Sequence, residues 1–181
     1  RKWRGPALFS YGFRPFFLSA GAWGLLAVGL WLPQWEGHFA LPSAFQPLDW
    51  HAHEMIFGYL GAAMAGFLLT AVPNWTGRLP VAGAPLMALW GVWVAGRLAV
   101  AFSAAIGAWL AMAIDVGFFV VFAAVAGREI VAGENWRNLR VLAVVALIGG
   151  ADALFHVEAI TRGRGDYGLR LGLAAGVAMI M

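Results

Sequence analysis

Long apolar runs, interrupted by short polar segments, dominate the hydrophobic pattern of this chain. A membrane-spanning helix needs about 17–25 mostly apolar residues, and four regions reach this length. The region 84–126 is about twice as long as one span, so we expect it to fold back near residues 103–107. The pattern predicts five spanning helices and the start of a sixth, at 16–32, 53–72, two within 84–126, 141–160 and 169–181.

Prolines and polar segments mark the ends of these runs. Pro15 suits the first turn of the first helix, and Pro33 predicts its end. We expect a loop at 34–50, a turn-rich connector at 73–80, a charged segment at 127–140 and a short loop at 161–166. No sheet pattern or repeat is present. The sequence predicts an all-α, polytopic transmembrane helix bundle, with residues 1–181 as a single domain. Because it lacks an initial Met and stops inside an apolar run, we expect it to be the N-terminal part of a longer chain.

Composition supports a membrane protein. The chain is 62% hydrophobic and 12% charged, whereas soluble domains are about 45–50% apolar and about 25% charged. Ten Trp residues suit the aromatic belts of a bilayer. No basic stripe with interleaved aromatics is present, so we expect membrane lipid and no nucleic acid as a partner. The absence of Cys excludes disulfides, zinc thiolates and iron–sulfur clusters.

Arginine and lysine concentrate in cytoplasmic loops. If the N-terminus is inside, the external set is Arg162, Arg164 and Arg170. Eight arginine and lysine residues then face the cytoplasm, which favours a cytoplasmic N-terminus. The positive charges of the loop with Arg162 and Arg164 argue against this orientation. The cytoplasmic set is Arg1, Lys2, Arg4, Arg14, Arg78, Arg128, Arg137 and Arg140.

The segment DWHAHEMIFG at residues 49–58 places two imidazoles and a carboxylate at the start of an apolar run. Imidazole is a common ligand of haem iron and copper. His51 and His53 are about 200° apart on a helix, so they cannot both face one point if both are fully helical. Either one lies on an unwound start of the helix, or the two serve separate centres. Glu54 can orient a histidine or carry protons. Histidines that cap the helix without a metal are the alternative.

Other polar residues fall at a similar depth in the predicted helices. Arg97, Asp115 and His156 lie toward the outer ends of the third, fourth and fifth helices, and Asp152 is one turn before His156. Charges inside a membrane cost at least about 2.5–3.5 kcal/mol, so several at one depth indicate a buried polar site. We expect Asp152 to hydrogen-bond the His156 ring and Arg97 to pair with Asp115 or a ligand carboxylate. A purely structural ion pair is the alternative.

Several motifs resemble those of the NnrS family. They are GFRPFF at 12–17, WHAHEMIFG at 50–58, AGFLLTAVPNWTG at 65–77, AGR at 95–97, Asp115, NWRNL at 135–139 and Phe155-His156. The resemblance implies a multi-pass protein of the bacterial inner membrane that carries haem and copper. It also implies a role in nitric oxide metabolism and resistance to nitrosative stress, and a full-length chain longer than this one.

The leading hypothesis is a haem–copper membrane protein of the nitric oxide response. We expect His51, His53 and His156 as metal ligands, with Glu54, Arg97, Asp115 and Asp152 in support. Arg97 is also a candidate partner for a haem propionate. An iron or copper centre can bind nitric oxide or a related small molecule, or pass it electrons from a donor protein. One alternative is a proton- or ion-coupled transporter or channel without a metal. Another is a helical scaffold within a larger membrane complex.

Overall fold

A computed structural model describes residues 3–180, and most of that part is helical. No strand is present between residues 3 and 180, which confirms the all-α prediction. Five helical segments are long and apolar enough to cross a membrane, and one more helix follows them. The helices are α1 (Phe13–Trp35), α2 (Pro47–His53), α3 (Leu60–Thr76), α4 (Ala84–Ala101), α5 (Ser103–Ile106), α6 (Ala108–Ala132), α7 (Leu139–Arg162) and α8 (Asp166–Ile180).

Two prolines lie inside helices that they were expected to end. The prediction for Pro33 is wrong because α1 continues to Trp35. A proline in the last turn removes only one N–H, and the Pro33 carbonyl still accepts the His38 N–H at 2.9 Å. Pro73 likewise lies within α3. Its carbonyl accepts the Gly77 N–H at 2.9 Å, and a φ of 68° at Gly77 ends the helix there.

The charged segment 127–140 is also shorter than predicted, because α6 continues to Ala132. Ile130 is fully buried in the bundle. Glu129, next to it, accepts a hydrogen bond from Arg78 Nε at 2.6 Å. An apolar contact and a salt bridge thus extend the helix through residues that look like a loop in the sequence. The helix α7 is longer than its predicted run as well, and ends at Arg162.

The predicted fold-back within 84–126 is confirmed. The short helix α5 separates α4 from α6, and Gly107 has a φ of 96°, a conformation that favours glycine. The Ser103 hydroxyl donates to the Val100 carbonyl at 2.8 Å and accepts the Ala44 N–H at 2.9 Å. This contact fixes the loop after α1, which carries Phe45 into the bundle interior.

Short turns join the long helices, so neighbouring helices run antiparallel. The helix α1 packs on α3, α4 on α6, and α7 on both α6 and α8. One end of the bundle therefore holds the end of α1, the start of α2, the α4–α6 turn and the α7–α8 turn. From the helical rise, His53, Arg97, Asp115 and His156 lie about 6–11 Å inside this end. Their shared depth agrees with the sequence prediction.

The outer surface of the bundle is apolar, as is typical of helices surrounded by lipid. Leu25 on α1 is 81% exposed, and Val120 on α6 is 64% exposed. The arginines of the predicted cytoplasmic set that the structure describes lie at the end opposite the histidines. Arg1 and Lys2 of that set, and Met181 of the predicted sixth helix, lie outside the described residues. The orientation of the chain stays a prediction.

Candidate metal centre

A π-helical turn, Glu54–Tyr59, joins α2 to α3 and brings His53 and Glu54 into the bundle interior. The Leu60 N–H donates to the Met55 carbonyl five residues earlier, which is the hydrogen bond that defines a π-helix. Such a turn contains an extra residue and is frequent at functional sites. The segment from Pro47 to Thr76 therefore remains one helical rod. Both histidines of the motif are helical, which excludes an unwound start at His51.

Four buried side chains from three helical segments meet beside this turn. His53 Nε2 lies 2.9 Å from Asp152 Oδ1 and 3.3 Å from Asp115 Oδ2. His156 Nε2 lies 3.4 Å from Asp115 Oδ2 and 3.6 Å from Asp152 Oδ1. All four side chains are 0% exposed. Each offers one ligand atom, and these atoms lie within 4.8 Å of one another. We call these four residues the histidine–carboxylate cluster.

Arg97 and Glu54 form a second layer around the cluster. Arg97 donates from one terminal nitrogen to Glu54 Oε2 at 2.8 Å and from the other to Asp115 Oδ1. Glu54 Oε1 lies 3.1 Å from His53 Nδ1, and Trp23 Nε1 donates to Glu54 Oε2 at 2.7 Å. Glu54 thus links the guanidinium to the imidazole, as a carboxylate behind a ligating histidine does. The predicted pairing of Arg97 with Asp115 is present.

Glycines make the close approach of these groups possible. A Cβ at Gly58 would lie 2.5 Å from Arg97 Nη1 and 2.7 Å from Glu54 Oε2. A Cβ at Gly96 would lie 2.6 Å from Asp115 Oδ1 and 3.3 Å from the Asp115 Cα. Gly58 therefore leaves room for the guanidinium, and Gly96 allows α4 to approach α6 beside the cluster.

We expect Gly96→Ala to lower the free energy of unfolding by about 1–3 kcal/mol, because the new methyl group forces α4 and α6 apart. Gly91 on the same helix is the matched control, since nothing lies within 4 Å of its Cβ position. Gly91→Ala should leave the protein as stable or stabilise it by up to about 1 kcal/mol through helix propensity. Unfolding with SDS in mixed micelles measures both. Equal stability of the two variants would contradict the close packing at Gly96.

Three phenylalanine rings enclose the two imidazoles. Phe155 lies 4.6 Å from His53 between ring centroids, and Phe57 lies 5.0 Å from it. Phe45, from the loop after α1, lies 5.3 Å from the His156 ring. This apolar wall lowers the local dielectric and strengthens any interaction with a cation inside it.

His51 does not join the cluster. Its ring stacks on Trp31 with centroids 4.2 Å apart and an interplanar angle of 15°. The side chain is partly exposed, and its Nδ1 atom is buried without a hydrogen-bond partner among residues 3–180. The two histidines of the motif thus lie in different environments, which is one of the alternatives that their spacing left open.

The predicted role of Asp152 needs a correction. We expected it to hydrogen-bond His156 one turn away on α7, but its closest imidazole is His53 on α2. The distance of 3.6 Å to His156 Nε2 is too long for a hydrogen bond. A partner across the bundle cannot be read from spacing along one helix. Trp23, Gly58 and Phe45 were also missed, because an indole, a glycine and a loop phenylalanine carry no signal of this kind.

The donor set of the cluster fits a metal ion. Bonds of about 2.0–2.2 Å to nitrogen and oxygen place the ligand atoms of a tetrahedral site about 3.3–3.6 Å apart. The four imidazole–carboxylate distances, 2.9, 3.3, 3.4 and 3.6 Å, bracket that range. His156 Nδ1 and Asp152 Oδ2 are buried without partners among the described residues. Imidazole ligands suit copper, zinc, iron or nickel, whereas carboxylate ligands suit magnesium, calcium or manganese.

The charges of the site also favour a cation. Arg97 pairs with Glu54 and Asp115, and Asp152 adds a third carboxylate, so two negative charges remain when all four groups are ionised. Buried charge without compensation is costly in a membrane interior. A divalent cation between the two histidines, or protons on their imidazole rings, would balance it.

The cluster does not fit a haem. Both Nε2 atoms lie within 3.6 Å of carboxylate oxygens, and phenyl rings occupy the space beside each imidazole. A porphyrin needs a flat slot on the open side of its axial ligand, whereas Phe45, Phe57 and Phe155 pack directly against the two imidazoles. Arg97 faces inward, is 1% exposed and is held by two carboxylates, so this geometry gives no support to a propionate partner there.

The helices and the buried cluster define a multi-pass helical membrane protein with a histidine–carboxylate site in its interior. A family profile described as NnrS protein matches residues 7–181. The chain therefore belongs to the NnrS family, as its motifs predicted. Searches among curated proteins and among solved structures found no match.

Proposed function

We propose that this protein serves the nitric oxide response of the bacterial inner membrane and binds a copper ion in the histidine–carboxylate cluster. The observation that supports it most is the meeting of His53, Asp115, Asp152 and His156 at ligand distances in a fully buried site. Membership of the NnrS family supports the link to nitric oxide. Copper bound there would supply a redox centre able to bind nitric oxide or to exchange electrons with it.

The residues of the chain have distinct roles in this proposal. His53 and His156 bind the ion, and the two aspartates complete the ligand set and reduce its charge. Glu54 holds the His53 ring through Nδ1, while Arg97 and Trp23 hold Glu54. The three phenylalanines exclude water from the site. An uncharged diatomic molecule is the kind of ligand that can pass such an apolar wall.

For the haem we propose His51 as a ligand at a separate centre. Among the three predicted ligands, it is the imidazole that no carboxylate contacts in the described residues, and the stacked Trp31 fixes its ring plane. A partly exposed ring at the end of α2 leaves one face of the site for a macrocycle.

Metal and haem analysis of the purified full-length protein tests both parts of the proposal. After expression with ample copper and haem, we expect about one copper ion per chain and a Soret band. His51→Ala should remove the Soret band and leave the copper content unchanged. Copper far below one per chain, together with ion uptake in proteoliposomes, would support the transporter alternative instead. A Soret band that survives His51→Ala would exclude His51 as the haem ligand.

A further inference from the structure

The end of the bundle opposite the cluster is strongly basic. The helix bounds place six described arginines there, with Glu129 and Glu134 as the acids. The cluster end instead carries Arg162, Arg164 and Arg170 with Glu36, Asp49, Glu158 and Asp166, which nearly balance. The six arginines of the basic end are Arg4, Arg14, Arg78, Arg128, Arg137 and Arg140.

Two of these arginines are held in place by one buried acid. Arg78 Nε donates to Glu129 Oε2 at 2.6 Å, and Arg128 donates to Glu129 Oε1 from Nε at 3.0 Å and from a terminal nitrogen at 2.7 Å. Glu129 is 7% exposed, whereas the side chains of Arg78 and Arg128 are 43% and 76% exposed. One carboxylate thus orients two guanidinium groups and leaves a net positive charge facing outward.

The two arginines lie beside an open depression of about 580 Å³. The connector between α3 and α4 forms its floor and includes Leu79 and Pro80. A narrow cleft lies next to it between α3 and α6, lined by Leu69, Val72 and Val125 together with Leu79, and its volume of about 10 Å³ is too small for an acyl chain. Trp75 lies at the same level, where indoles sit in the headgroup region of a bilayer.

We propose that Arg78 and Arg128 bind the phosphate of an anionic phospholipid whose acyl chains lie against the apolar outer surface of the bundle. A guanidinium matches phosphate oxygens with paired N–H donors. Anionic lipids attract basic residues at the cytoplasmic surface, where the predicted orientation puts this end. The combination of two outward-facing guanidinium groups with the exposed apolar side chain of Leu79 beside them selects a lipid over a soluble anion. This site is independent of the metal centre.

Native mass spectrometry of the full-length protein, titrated with phosphatidylglycerol or phosphatidylcholine, tests this site. We expect phosphatidylglycerol to bind at least about tenfold more tightly. The double variant Arg78→Gln/Arg128→Gln should bind both lipids equally. Arg137→Gln is the matched control at the same end, outside the depression, and should keep the wild-type preference. Equal binding of the two lipids by the wild type, or an unchanged preference in the double variant, would overturn the proposal.

A second variant covers the case in which loss of the arginines impairs folding. Leu79 is 82% exposed and lines the depression, so Leu79→Glu adds a repelling carboxylate with little loss of packing. It should weaken phosphatidylglycerol binding, while Leu79→Gln should not. Competition with inorganic phosphate separates the two sources of the anion. If millimolar phosphate displaces the lipid completely, the site binds a free anion and the acyl chains add nothing to the affinity, which would overturn the proposal.

Discussion

Replacing His53 or His156 with alanine should leave the purified protein with almost no copper. In the proposed site each imidazole would supply one of two nitrogen ligands, and the phenylalanine wall offers no donor to replace it. Loss of an outer partner of a metal ligand already costs about 10–100-fold in affinity, so loss of a ligand itself should exceed that. Elemental analysis after size-exclusion chromatography measures the effect. His38→Ala is the control, because His38 lies exposed in the loop after α1.

His51, the other histidine of the motif, provides a control for loss of helix structure in this test. His51→Ala removes an imidazole two residues from His53 but outside the cluster, so copper should stay bound. A general loss of helix α2 structure would lower copper in both variants. If His53→Ala and His156→Ala both retained wild-type copper, the ion would have to bind elsewhere and the cluster would be a structural network of hydrogen bonds.

Replacing Arg97 with leucine should destabilise the protein by about 3–5 kcal/mol, the typical cost of breaking a buried ion pair by removing one partner. Arg97 is 1% exposed and its guanidinium contacts both Glu54 and Asp115. Without it, three carboxylates share the interior of the bundle with no guanidinium beside them. The free energy of unfolding in mixed micelles measures the loss.

A charge-restoring variant separates the electrostatic effect from lost packing. Arg97→Leu/Glu54→Gln removes one carboxylate together with the guanidinium, so it should recover a substantial part of the stability. Arg97→Lys should fall between wild type and Arg97→Leu, since an ammonium cannot donate in a fork to two carboxylates. If Arg97→Leu and the double variant were equally unstable, packing rather than charge would explain the loss.

Much of the fold follows from hydrophobic run length. The spans, the fold-back before Gly107 and the shared depth of Arg97, Asp115 and His156 all come from counting residues against the thickness of a bilayer. Helix ends were predicted less well. In the sequence, Pro33 and Glu129 suggest that a helix ends. In the structure, both lie within helices, where they form hydrogen bonds that the sequence alone does not reveal.

The sequence predicted most of the residues of the site but not their arrangement in space. Helical periodicity separates His51 from His53 and allows two centres, but the direction of each ring depends on the π turn that starts at Glu54. An added residue rotates the following helix by about 100° relative to the preceding one. The preference of Asp152 for His53 over His156 follows from that rotation and from the packing of α7. The sequence of a single helix gives no signal for such pairings between helices.

X-ray absorption at the copper edge of the full-length protein most directly tests the central claim, that imidazoles from two membrane spans bind one copper ion. A cluster site predicts nitrogen and oxygen neighbours at about 2.0–2.2 Å, with the outer-shell scattering of two imidazoles. His53→Ala/His156→Ala should abolish this spectrum. A copper shell without imidazole scattering, or the same spectrum in the double variant, would contradict the claim.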